Sequence, residues 1–171
     1  MRGLTLVLCL AATTAAAQQP VPTTPDSARA ESTPPLVAPT PEQTRYLHGL
    51  RTAGRGIAQL KDGVNRLTTA GRDTVRLKQA ALRLAGLCNT ARGFMTAGRA
   101  KMQASAYYDD STRLKARRLS AQIDSLIRLA TTCDTTAAKH PASTEAALRR
   151  QIPPYDAALK DFRAAIGWPG R

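Results

Sequence analysis

The residues of this sequence that could carry chemistry are two histidines, an adjacent pair of aspartates and three cysteines. Catalysis needs such groups arranged as a nucleophile with its base, a carboxylate pair or a metal-holding cluster. His48 and His140 are each without a ligand-type residue four positions on. His48 falls on the solvent side of a helical pattern, and His140 stands before Pro141 in a loop. Asp109-Asp110 sits at a turn, where capping acids are expected. There is no HExxH, CxxCH or GxSxG and no glycine-rich phosphate loop. Met95 and Met102 fall on an apolar helix face, as thioether haem ligands would, but no inward histidine accompanies them. The expectation is a chain that is not an enzyme and holds no cofactor and no metal.

The cysteines point elsewhere. Cys9 lies in the first apolar run, which leaves Cys88 and Cys133, 45 residues apart, with no CxxC and no histidine near either. In an oxidising compartment such a pair is expected to form a disulfide.

Charge is the feature that stands out. The sequence carries 25 Lys and Arg against 12 Asp and Glu, a net charge of +13. No acid occurs between Asp73 and Asp109, while Arg76, Lys78, Arg83, Arg92, Arg99 and Lys101 all lie there. The next segment adds Arg113, Lys115, Arg117, Arg118 and Arg128 against Asp124. Lys78, Arg92 and Arg99 share one heptad position and would form a stripe. The candidate anion-binding residues are therefore Arg76, Lys78, Arg83, Arg92, Arg99, Lys101, Arg117 and Arg118. A surface of this kind attracts polyanions such as envelope polymers, anionic lipids or nucleic acid. The excess of arginine over lysine is as readily explained by the nucleotide composition of the gene.

The first residues give an address. Met1-Arg2, an apolar run from Leu4 to Ala12 and the small residues Ala15-Ala16-Ala17 read as a secretory signal peptide, residues 1–17, cut before Gln18. The run is short of the roughly 20 residues that span a bilayer. Leu8 precedes Cys9 where a lipoprotein signal wants a small residue. Residues 18–42 form a Pro/Thr-rich arm, expected to be disordered. The remaining domain, 43–171, is expected in the periplasm or outside the cell, with no stable membrane insertion after signal cleavage.

Helices must position whatever this domain presents. Tyr46, Leu50, Ala53, Ile57, Leu60, Val64 and Leu67 step by four and three, one apolar seam on a helix. Leu77 to Met102 continues the alternation through Ala81, Leu84, Cys88, Ala91, Met95 and Gly98. Ala116, Leu119, Ile123, Leu126, Ala130 and Cys133 make a third seam, and Leu148, Ile152, Tyr155, Leu159, Phe162 and Ile166 a fourth. Four seams predict an all-α antiparallel four-helix bundle. Its fourth helix should be kinked, or split in two, at Pro153-Pro154. Gly71 and Asp73 punctuate the first turn, Asp109, Asp110 or Ser111 caps the third helix, and Gly167 closes the fourth with Trp168 folded back on it. If Cys88 and Cys133 share a level, the midpoint between them predicts a second helix running to about Tyr108 and a tight turn after it. Small seam residues suggest close helix packing; the alternative is room for a small ligand beside Phe94, Met95 and Gly98. The tetrapeptide TAGR, at Thr52, Thr69 and Thr96, falls in three different registers and carries no common role.

Two classes of function remain open. One is an exported, non-catalytic helical module that binds a protein partner through its surface or groove. The other is a basic protein that binds an anionic polymer of the envelope or exterior. The sequence leaves the oligomeric state open.

Overall fold

The computed structural model describes residues 38–107 and 109–168. The signal peptide, the arm up to residue 37, Tyr108 and Pro169 lie outside the described residues. Among the described residues there are four α-helices: α1 Pro41–Ala70, α2 Thr74–Arg99, α3 Asp110–Thr136 and α4 Pro141–Ala165. They form an antiparallel bundle in which each helix packs on the next.

Local chemistry sets the ends. Thr40 caps α1 in a box with Gln43: the Gln43 amide donates to Thr40 Oγ1 at 3.2 Å and the Thr40 amide to Gln43 Oε1 at 3.0 Å. Pro41 then takes the first helical position, where its missing N–H leaves nothing unpaired. The helix thus begins two residues before the expected boundary at Gln43. Asp73 accepts from the amides of Val75 and Arg76, and Asp109, of the three candidates, from that of Thr112 at 2.6 Å. Gly71 and Gly167 end α1 and α4 at φ of 57° and 65°, which a side chain would resist. The Trp168 amide donates to the Arg163 carbonyl at 2.9 Å, folding the tryptophan back over the last turn of α4.

Pro153 and Pro154 do not split α4, which runs through both as one helix. Both side chains are exposed. The carbonyls one turn earlier, on Arg149 and Arg150, lose their helical donors at a face open to water, where solvent can replace them.

The seams on α1 and α3 are buried throughout. An aromatic cluster closes one end of the core: Tyr46, Tyr107 and Phe162 stand with ring centroids 5.2 to 5.4 Å apart. The Tyr46 hydroxyl donates to the Ala116 carbonyl at 3.1 Å. Burial pushes the Tyr46 and Tyr155 phenols up to about 12. Burial, then the neighbouring Tyr46, pushes Tyr107 higher still. Unfolded tyrosines ionise near pH 10 (about 10). The folded chain therefore keeps protons that the unfolded chain gives up. This stabilisation is whole below pH 10 and is lost as pH rises through about 12. A pH titration should show these tyrosines ionising together with loss of helical circular dichroism, not before it.

Close approach of α1 and α2 is the feature the seams only hinted at. A Cβ on Gly49 would stand 2.5 Å from the Gly98 carbonyl oxygen, and one on Gly56 2.5 Å from that of Ala91. One on Gly63 would meet Leu84 Cδ1 at 2.5 Å, and one on Gly98 would meet both Ala53 N and Gly49 O at that distance. Gly49, Gly56 and Gly63 are a heptad apart, facing Gly98, Ala91 and Leu84 in antiparallel order. The backbones nest because these positions carry no side chain. Space for a ligand beside Gly98 and Met95 is therefore absent: α1 backbone fills it, and Met95 is fully buried.

The disulfide between Cys88 and Cys133 is present, with Cα atoms 5.9 Å apart. The route to it differs from expectation. α2 stops at Arg99, well short of residue 108, and a ten-residue connection with one turn of 3-10 helix, Ala104–Ala106, replaces the tight turn. Cys133 lies 23 residues into α3 but Cys88 only 11 from the end of α2. The connection must therefore climb about 18 Å along the bundle. It climbs beside the first two turns of α1, which overhang α2, burying Met102, Ala106 and Tyr107 there. The midpoint rule needs a helix-like average rise, and this irregular segment provides one.

Candidate functional site

The charged residues do not gather on one face. Arg76 and Arg83 line a hollow on the α1 flank of α2, beside Asp62, Asn65 and Arg66. Arg99 turns to the α3 flank, where its Nε lies 2.9 Å from an Asp124 carboxylate oxygen, while Lys78 is exposed near the start of α2. Arg99 Nη1 also donates to the Met102 carbonyl at 3.2 Å, so this arginine ties the end of α2 to α3. Arg76 pairs with the capping Asp73 at 3.3 Å, and Arg92 donates to Asn89 at 2.8 Å. Lys101 Nζ is 3.4 Å from His48 Nδ1. Arg117 and Arg118 are exposed on the first half of α3. Among the described residues, Lys78, Arg83, Arg92, Lys101, Arg117 and Arg118 form no ion pair with a carboxylate. From Arg76 to Arg99 the helical rise is about 35 Å. The cations are spread along the bundle and over more than one flank, and are not gathered into a pocket for one small anion.

The groups considered for chemistry are separated. His48 and His140 are exposed on different helix ends. Hydrogen bonds from Thr112 hold the Asp109 carboxyl below the usual carboxylate range, in keeping with its capping role. Among the described residues no group of three or more His, Cys, Asp or Glu is placed to hold a metal ion. No described helix is long and apolar enough to cross a membrane. The disulfide is consistent with an oxidising compartment.

A second feature appears where α1 meets α4. These helices touch over far less of their length than the other neighbouring pairs. At one end long side chains bridge the gap: Lys61 Nζ to Asp156 at 2.7 Å, and Arg149 to Thr68. Toward the other end the seam stays open. One hollow of about 560 Å³, at the end of the bundle, is lined by Leu47 and Arg51 of α1, Ile166 and Trp168 after α4, and also Tyr107, Asp109 and Thr112 at the start of α3; another of about 420 Å³ is lined by Leu50, Arg51, Ile57, Leu159, Arg163 and Trp168 among others. Arg51 and Trp168 belong to both. Guanidinium carbons of Arg51 and Arg163 stand 5.7 and 5.5 Å from the Trp168 ring centroid. The sequence does hold a trace of this. Ile152, Leu159 and Ile166 form one heptad row of the fourth seam, and all three are only half-buried.

No protein-family model, curated protein or solved structure matches the chain.

Proposed function

We propose that the chain is an exported, non-catalytic helical module that acts by binding, and that the cationic track on α2 and α3 is a working surface for an anionic polymer of the envelope or exterior. The supporting observation is that α2 has no acid beyond its cap, while Lys78, Arg83, Arg92 and Lys101 stand without carboxylate partners and Arg117 and Arg118 extend the charge onto α3. Capture of a protein partner through a surface or groove, the other reading, predicts an exposed apolar stripe on one helix or concentration-dependent association. Among the described residues the large apolar side chains in solvent are Val75 and Leu82 on α2 and Leu114 on α3, 56–65% exposed. Isolated apolar side chains of this kind are ordinary on protein surfaces.

Retention of the disulfide-intact mature protein on an immobilised sulfated polysaccharide across a salt series tests this. Log affinity should fall linearly with log salt, with a slope of several ions. The quadruple variant Lys78→Glu, Arg83→Glu, Arg117→Glu, Arg118→Glu should elute near the void at salt concentrations that hold the parent, with unchanged circular dichroism. Arg99 is left out of the variant because of its tie to Asp124. Equal retention of parent and variant would show that the track is bystander charge.

A further inference from the structure

We propose that the open seam between α1 and α4 is a binding site for a single-chain anionic amphiphile. Its carboxylate or phosphate head is held at Arg51 and Arg163, and its hydrocarbon chain lies over Leu50, Ile57 and Leu159. The site owes nothing to α2 and stands independently of the cationic track.

Three observations carry it. First, the seam is apolar yet unfilled. Leu159 and Ile166 carry the spacing of buried residues on α4, but they are only half-buried, packed at the edge of the core and lining the hollows. The floor on α1 includes Gly54, where a Cβ would find nothing within 4 Å. The two hollows, about 560 and 420 Å³, are of the size that takes small ligands and share Arg51 and Trp168 as walls.

Second, three arginines collect at the junction; the acids that line the hollows are Asp109, engaged in capping α3, and Asp156, paired with Lys61. Arg51 and Arg163 lie against the same indole, and Arg55 lines the same hollow. Among the described residues none of the three is within ion-pair distance of a carboxylate, and Arg163 Nε is buried there without a hydrogen-bond partner. Lys61 and Asp156 answer each other farther along the groove, which leaves the cationic end at Trp168. Guanidinium forks match the paired oxygens of a carboxylate or phosphate. A bound anion would supply the missing acceptor and relieve the repulsion between the arginines.

Third, head and tail requirements lie in one line. The cationic corner opens onto Leu50, Ile57, Tyr155 and Leu159; the first three are all but buried, so the half-buried Leu159, beside the open space at Gly54, supplies most of the apolar surface a tail would cover. A simple inorganic anion leaves Leu159 uncovered, and a cationic amphiphile meets like charge.

Trp168 is the sole tryptophan, so its fluorescence reports on this corner alone. The full mature chain is titrated below micellar concentrations with dodecanoate, dodecyl phosphate and dodecyltrimethylammonium, with calorimetry in parallel to register binding that leaves the indole silent. Both anionic probes are expected to bind saturably, and the cationic probe at least tenfold more weakly. Arg51→Gln with Arg163→Gln should weaken the anionic probes at least tenfold. Gly54→Leu, which projects into open space and keeps both arginines, should abolish binding with the thermal transition undiminished. Phosphatidylglycerol vesicles form a separate arm: binding to vesicles together with the monomers places the ligand's source in a membrane, and binding to monomers alone places it in solution. No saturable binding of the anionic probes, equal binding of the cationic one, or a response to vesicles only overturns the site. The quadruple variant of the cationic track should bind dodecanoate as the parent does, so the two proposals fail separately.

Discussion

Replacing Cys88 and Cys133 together by alanine is expected to lower stability by about 4 kcal/mol, in the chain-entropy account of closing a loop of this size. For a domain of this length that is a fall in melting temperature of about 15 °C. The bond ties α2 to α3, whose irregular ten-residue connection restrains them weakly. Both sulfurs are buried in the core, with the two residues 0% and 2% exposed, so alanine is the better test than serine, whose hydroxyls would be left unpaired there. Differential scanning calorimetry of the oxidised parent, the reduced parent and the double variant measures the effect. The last two should melt close together and well below the first. A difference of less than about 5 °C would mean that the reduced chain already restrains this loop, or that the bond does not form in solution.

The glycines give the second large effect, and they give it in both directions. Gly98→Val is expected to cost about 3 kcal/mol or more, the upper part of the range for overpacking a tight contact. Its new side chain meets α1 backbone at Ala53 N and Gly49 O, and backbone cannot rotate aside as a side-chain tip can. Gly56→Val, against the Ala91 carbonyl, should behave alike. Gly86→Ala and Gly93→Ala sit in the interior of α2 with nothing within 4 Å of the added Cβ. Each should gain close to the helix-propensity difference, about 1 kcal/mol. Urea titrations of the four variants decide the matter: opposite signs for the two pairs support the nested α1–α2 contact, and a uniform gain would refute it.

Much of this was legible because it is written locally. Seams stepping by four and three located all four helices, and Gly71, Asp73, Asp109 and Gly167 marked their ends by residue type. The disulfide followed from elimination. What escaped depends on pairing between helices. Gly49, Gly56 and Gly63 stand one position off the α1 seam and look like costs to a helix considered alone; they become contacts only once α2 is laid alongside. The end of α2 escaped because Ala100 to Ala106 contains nothing that forbids helix, and the packing of Tyr107 on Tyr46 and Phe162 decides the chain's path instead. The basic residues were visible, but not that Arg76 and Arg83 turn to one flank of α2 and Arg99 to the other. The α1–α4 opening was hidden for the same reason: Leu159 and Ile166 carry the spacing of core residues whether or not a helix covers them.

The open seam also bears on how the bundle comes apart. α1 and α2 adjoin in sequence and nest by backbone, so their hairpin closes over a short loop and needs no distant segment. α3 is then fastened to it covalently. α4 rests mainly on α3, to which a short loop joins it, and meets α1 through Phe162 on Tyr46 and through long side chains at its far end, with two of its own backbone hydrogen bonds missing at Pro153 and Pro154. It is neither nested by backbone nor cross-linked, so its amides are expected to exchange faster than those of the other three helices. The groove's two walls thus belong to different layers of stability: α1 is a fixed jaw, and α4 is a hinged one.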